Sequence, residues 1–287
     1  MRILVIGDFH GIFPEKLKKK ISKEEFDLII AVGDYFGIKD WRAFLFDMFK
    51  RIKNKKEMIT REEFFGIKKL KKIMKKDEIA GKKVMREINK IGKKTRVIYI
   101  FGNTDDDWYN YPFEALDKVS KVRKKFLAGL KNMKEINYGK KVHREISIVG
   151  FGGYMDPKVN YEEARGEKKK RMRKRLEKTE KKLFSLMNNL KKERIFVFHY
   201  PPLGVFDIIK EKKNPYHGKS AGVKMFRQVI KKYKPELVLC GHMHEYQGVK
   251  KIGDSLIVNP GEGSKGKAAI IEYIKGEKKK IKVKFIK

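Results

Sequence analysis

Seven side chains suited to holding cations recur in a series of short motifs: Asp8-x-His10, Gly33-Asp34, Gly102-Asn103-Thr104-Asp105, His199 and Gly241-His242-Met243-His244. Carboxylate oxygen and imidazole nitrogen suit Mn²⁺, Fe, Zn²⁺ or Ni²⁺. A carboxylate such as Asp34 can bridge two ions, and the Asn103 amide can fill a coordination position without adding charge. Two divalent transition-metal ions about 3.5–4 Å apart can bind the oxygens of a phosphate and acidify a bridging water into a hydroxide aligned for in-line attack on phosphorus. Hydrolysis of a phosphoester is the chemistry these residues predict.

The elements around them explain how residues so far apart in sequence could meet. Each motif follows a short run rich in Val, Ile and Leu: Ile3 to Ile6, Leu28 to Val32, Val97 to Phe101, Ile195 to Phe198 and Leu237 to Cys240. Such runs read as buried strands. In an α/β sheet the crevice outside the carboxyl ends of the strands is where ligands bind, so several strand-end loops can converge on one point.

Motif by motif and in order, these residues resemble the calcineurin-like metallophosphoesterase superfamily, over most of the chain. The region from His199-Tyr200-Pro201-Pro202 through His217-Gly218-Lys219-Ser220, Cys240 to Glu245 and Val258-Asn259-Pro260-Gly261 is similar to predicted archaeal phosphoesterases related to Icc-type cyclic-nucleotide phosphodiesterases. The resemblance implies a four-layer α-β-β-α sandwich. It also implies a first metal held by Asp8, His10, Asp34 and His244, and a second by Asp34, Asn103, His199 and His242, with Asp34 as the bridge. Mn²⁺ is the expected ion. Many members of the superfamily carry histidine after Gly-Asn, where it contacts phosphate and protonates the leaving group; here that position is Thr104, and Asp105 is expected to stand without its usual partner. A threonine hydroxyl is too weak an acid for that task, which is typically worth about 10²–10⁴-fold. His217 is the one unassigned histidine near the motifs that could compensate, and it reads equally as a turn residue in Asn214-Pro215-Tyr216-His217-Gly218. His143 reads as a solvated or hydrogen-bonded strand residue and Cys240 as a small core residue.

Composition bounds the alternatives. With 287 residues, 41% of them hydrophobic, the chain can bury one large α/β core, and residues 1–287 are expected to form a single domain. The apolar start is a strand's length, too short for a signal peptide or membrane span, and a single cysteine suits a reducing cytoplasm. Only Gln228 and Gln247 accompany 72 Lys plus Arg, a bias compatible with heat adaptation.

The net charge of +36 raises nucleic acid as a partner or extended substrate. The excess is spread out, however: residues 38–96 carry 21 basic and 8 acidic side chains, residues 155–193 carry 14 and 7, and residues 275–287 carry 7 and 1. Blocks such as Lys168-Lys169-Lys170-Arg171 usually form a solvated helix face. Helical insertions are expected at about 38–95 and 155–193. In the first, Trp41, Phe44, Leu45, Met48, Phe49 and Ile52 follow helical spacing and Thr60 with Glu63 forms a capping box. In the second, Met172, Leu176, Thr179, Leu183, Leu186 and Leu190 form a seam suited to another helix. The strands at 249–252, 256–258 and 268–274 are expected to complete a second sheet. The leading expectation is a metal-dependent phosphodiesterase. Its alternative is a non-catalytic scaffold of the same fold, or a nucleic-acid-binding protein that uses its basic helices.

Overall fold

The computed structural model describes residues 1–110, 124–155, 164–274 and 280–287. Two six-stranded sheets lie face to face. In the first, β1 (Arg2–Ile6), β2 (Leu28–Ala31), β3 (Val97–Tyr99) and β4 (Met133–Glu135) run parallel, and β11 (Ala268–Ile274) joins antiparallel to β1, followed by β12 (Lys280–Ile286) at the edge. In the second, β6 (Ile146–Phe151), β7 (Glu193–Phe198), β8 (Leu237–Leu239) and β10 (Ser255–Asn259) run parallel between two antiparallel edge strands, β5 (Gly139–His143) and β9 (Gly248–Ile252). The 268–274 strand therefore belongs to the first sheet, contrary to the expectation from sequence. Local pattern could not decide this, because Ala268 to Ile271 of β11 are buried on both faces and fit beside any apolar neighbour.

Side-chain alternation shows why the central runs are apolar without a break. Ile3, Val5, Leu28, Ile30, Ile195, Val197, Leu237 and Leu239 point into the layer between the sheets. Leu4, Ile6, Ile29 and Ala31 point outward under α1 (Glu15–Ile21) and the carboxyl half of α4 (Ile67–Ile91), where Val84, Met85 and Ile88 are buried. Phe196 and Phe198 point to the opposite outer face, against Leu183 of α6 (Gly166–Leu186) and Phe226, Val229 and Ile230 of α7 (Lys224–Tyr233). These contacts make the α-β-β-α layering. Each fully buried aliphatic side chain contributes about 1.5–3 kcal/mol, so a charge at Val5 or Val197 would undo the sandwich.

The extra helical segments are tied to this frame unequally. α2 (Arg42–Lys53) buries no residue fully, whereas α3 (Arg61–Phe65) opens with the expected Thr60–Glu63 capping box and anchors Phe65 against Leu70 and Ile73 of α4. α4 is at once the crossover helix between β2 and β3 and the support of the extension. In α6 the seam residues Leu176, Leu183 and Leu186, with Leu190 beyond it, pack on the second sheet and α7 rather than on a coiled-coil partner. Residues 156–163 of the second expected insertion lie outside the described residues, as does the Lys168 side chain.

Candidate metal centre

All the motif residues leave strands at the same end of the sandwich, in turns held by backbone bonds between loops. Asp8 N donates to Gly33 O at 2.9 Å, Phe9 N to Asp34 O at 2.7 Å and Gly241 N to His199 O at 2.9 Å. Four of the residues adopt the left-handed region: Asp8 (φ 54°), His10 (φ 46°), Asp34 (φ 57°) and His242 (φ 67°). That conformation costs a non-glycine residue roughly 1–2 kcal/mol, and its recurrence here marks a site whose side chains are aimed at the expense of backbone ease. Two motif glycines also have a steric reason. A Cβ at Gly102 would overlap the Asp34 carboxylate, and one at Gly241 would lie 2.7 Å from Asp8 Oδ2.

The carboxylate and imidazole groups gather into two clusters that share one residue. Asp8, His10, Asp34 and His244 form the first; Asp34, His199 and His242 form the second; in each, the ligand atoms lie within 4.8 Å of one another. In the first, His10 Nε2 is 2.9 Å from His244 Nε2 and 3.8 Å from Asp34 Oδ2, and His244 Nε2 is 3.7 Å from Asp8 Oδ1. In the second, His199 Nε2 is 3.4 Å from Asp34 Oδ2, and Asn103 Oδ1 lies 3.0 Å from His199 Nε2 and 2.9 Å from His242 Nδ1.

Hydrogen-bond chemistry tests whether a cation fits. His199 Nδ1 lies 2.9 Å from Val32 O and so carries the proton it donates there, which leaves Nε2 of the neutral ring as a lone pair facing the lone pairs of Asn103 Oδ1 and Asp34 Oδ2. Only an extra proton on Nε2, or a cation in its place, relieves this convergence of acceptors, and a second-layer carbonyl fixes the tautomer as in histidine–metal sites. The donor set fits a metal.

The titration of these groups shows the same crowding. Burial, reinforced by the negative charge of Asp34, pushes Asp8 up to about 7 despite the opposing pull of His199. Burial pushes Asp34 in the same direction, but the charges of His199, His10 and His242 outweigh it and hold Asp34 well below the carboxylate range. For His199, burial favours the neutral ring, yet Asp34 and Asp8 raise it to about 9. Burial and His199 depress His242, and burial and His10 bring His244 down to about 4. A proton shared between His199 and Asp34 is what a divalent ion would displace.

Other expected residues take different places. Asp105 is fully partnered: its oxygens accept the backbone amides of Asp34 (2.7 Å), Tyr35 (2.8 Å), Phe36 (3.1 Å) and Gly102 (2.7 Å). It clamps the Asp34 turn to the Asn103 turn: with Thr104 in place of its usual histidine partner, it is bound by backbone amides instead and acts as a positioning carboxylate. His217 is exposed in its loop, its amide bonded to Asn214 O, and its ring takes no part in the two clusters. Cys240 is wholly buried and its thiol is pushed up by burial.

Sequence reading missed two contributors. Asp77, a lone carboxylate on the buried stripe of α4, accepts Gly37 N (2.8 Å), Ile38 N (3.1 Å) and Trp41 Nε1 (2.8 Å), and so ties the insertion to the Asp34 loop. An acid at an apolar helix position was the available signal. The Tyr200 ring lies 3.9 Å from that of His242, centroid to centroid, and packs the second cluster from the side.

Two parallel-centred sheets that bring Asp, His and Asn side chains into paired clusters at their carboxyl ends define an architecture of the metallophosphoesterase type. Residues 1–285 match the family described as metallophosphoesterase, calcineurin superfamily, and the chain belongs to it. Members typically hold a dinuclear metal site. Uncharacterized protein MJ1162 of Methanocaldococcus jannaschii is 25% identical over 183 residues, covering 63% of this chain and 70% of that one. One solved structure superposes with a TM-score of 0.60 at 20% identity, over 99% of this chain and 98% of that chain. Phosphopantetheinyl hydrolase from Mycobacterium tuberculosis superposes with a TM-score of 0.50 at 11% identity, over 92% and 90%. These structures share the fold. Among the described residues no helix is long and apolar enough to cross a membrane.

Proposed function

We propose that this chain is a dinuclear metal-dependent phosphoester hydrolase acting on phosphodiesters, with Mn²⁺ as its preferred ion. The observation that carries the reading is the sharing of Asp34 by two clusters, because one carboxylate between two sets of imidazole donors is the arrangement that holds two ions a few ångströms apart. When bound, the two ions would polarise the phosphoryl oxygens and acidify a water to serve as the nucleophile. Asp8, His10 and His244 would hold one ion and Asn103, His199 and His242 the other. The chain's own part is orientation: Val32 O fixes the His199 tautomer, and Asp105 fixes the Asp34 and Asn103 turns relative to each other.

The substrate we infer is a nucleotide-like phosphodiester, in keeping with the basic surface, and a reducing cytoplasm suits the single cysteine. A pure scaffold would have no use for this constellation, since unpaired buried charges cost several kcal/mol. Reconstitution with Mn²⁺, followed by metal analysis and assay on bis-p-nitrophenyl phosphate, tests the reading. Two ions per chain with turnover support it; metal-free protein after reconstitution, or turnover indifferent to chelator, removes it.

A further inference from the structure

Thr104 occupies the position where many relatives carry histidine, at the start of α5 (Asn103–Asn110). Its side chain points inward. The hydroxyl lies 2.8 Å from Asp34 Oδ1 and 2.9 Å from Phe36 O, and the Thr104 amide donates to the same Asp34 Oδ1 at 3.0 Å. Gly37 backs it so closely that a Cβ there would come within 2.6 Å of Thr104 Cγ2, so the rotamer is held by packing as well. Asp34 Oδ2 is the oxygen that faces His199 (3.4 Å) and His10 (3.8 Å). One carboxylate oxygen is therefore tethered and the other presented to both clusters.

We infer that Thr104 is a positioning residue that locks the rotation of the Asp34 carboxylate, so that Oδ2 alone stands between the two metal positions, and that the preferred substrates are phosphoesters or phosphoanhydrides whose leaving group departs as a stable anion. The inference rests on the reading of Asp34 as the shared ligand. Its second half follows from the single hydroxyl proton: whichever of Asp34 Oδ1 and Phe36 O receives it, that proton is directed into the protein. An alkoxide leaving group needs a proton as it departs, whereas an aryl oxide or a phosphate does not.

The test uses the full chain and Mn²⁺ alone as the probe, with Thr104→Ser, Thr104→Val and, in case valine is not accommodated, Thr104→Ala. Calorimetric titration reads affinity and stoichiometry, and electron paramagnetic resonance reads the magnetic coupling of carboxylate-bridged Mn²⁺ ions. Wild type and Thr104→Ser should bind two coupled ions. Thr104→Val and Thr104→Ala should keep their circular dichroism but bind at least one ion ~10–100-fold more weakly, the usual effect of losing a group that orients a ligand, with diminished coupling. Wild-type affinity and coupling in the valine and alanine variants would overturn the role of Thr104 while leaving the dinuclear reading intact. A wild type that binds fewer than two ions overturns both. With the wild-type enzyme, a diester series should lose ~10²–10⁴-fold in rate from aryl to alkyl leaving groups; a flat series overturns the substrate half.

Discussion

The two clusters that share Asp34 are alike in residue type and unlike in setting. His199, in the second, is wholly buried and anchored to Val32 O, whereas in the first the His10 and His244 side chains are 18% and 37% exposed and face each other across 2.9 Å. The difference teaches that the second metal position is anchored by a fully buried histidine beside the partly exposed His242, whereas both histidines of the first are partly exposed and its buried anchor is the Asp8 carboxylate. The buried position should release its ion slowly, and the open one should exchange and supply the face on which substrate lands.

Breaking the comparison altogether should have the largest effect. Asp34→Asn removes the residue common to both clusters, so activity should fall by at least ~10²–10³-fold, as loss of a single stabilising group commonly does, with bound metal falling below two ions per chain. Unchanged turnover and metal content would take Asp34 out of the site.

Separating the clusters should have the next largest effect. His244→Ala should weaken the faster-exchanging ion and spare the slower, and His199→Ala should do the reverse. Identical metal-release kinetics in the two variants would erase the distinction between buried and open positions.

The electrostatics sharpen the comparison through pH. His199 is raised to about 9 from an ordinary 6.5, so the stabilisation from its proton is complete below 6.5 and lost as pH rises through 9. Asp8, raised to about 7 from 3.8, has the same sign and loses its contribution between those values. The metal-free protein should therefore lose stability from pH 7 to pH 9, on the order of 1–3 kcal/mol, while bound metal, which takes the place of those protons, should widen its stabilising effect over the same window. Melting with chelator and with Mn²⁺ across that range is the check. A metal-free protein that grows more stable toward pH 9 contradicts the account.

The smallest effect expected is at the glycine behind the open cluster. Gly241→Ala places a methyl group 2.7 Å from Asp8 Oδ2 and should cost about 1–3 kcal/mol, with weaker binding of the exposed ion only. Equal weakening of both ions would mean that the clusters move as one.

The strands and the metal-type side chains were legible in the sequence because both signals are local: buried parallel strands are unbroken apolar runs, and few residue types bind borderline cations. What stayed hidden depends on partners distant in sequence. Nothing near Ala268–Ile274 indicates that it lies antiparallel to β1, since a strand apolar on both faces suits either sheet. The substitute partners of Asp105 could not be read, because three of them are backbone amides some 70 residues away, and amides leave no mark in a sequence. Thr104 looked like a lost acid until its inward orientation toward Asp34 made it a tether. Asp77 was visible only as an acid out of place on the stripe of α4.

The most direct test of the central claim is metal counting on the wild-type chain after exhaustive chelation and reconstitution with Mn²⁺, with release of each ion followed in time. The account predicts two ions per chain leaving in two phases, the slower belonging to the His199 cluster. One ion per chain, or two that leave in a single phase, would contradict it.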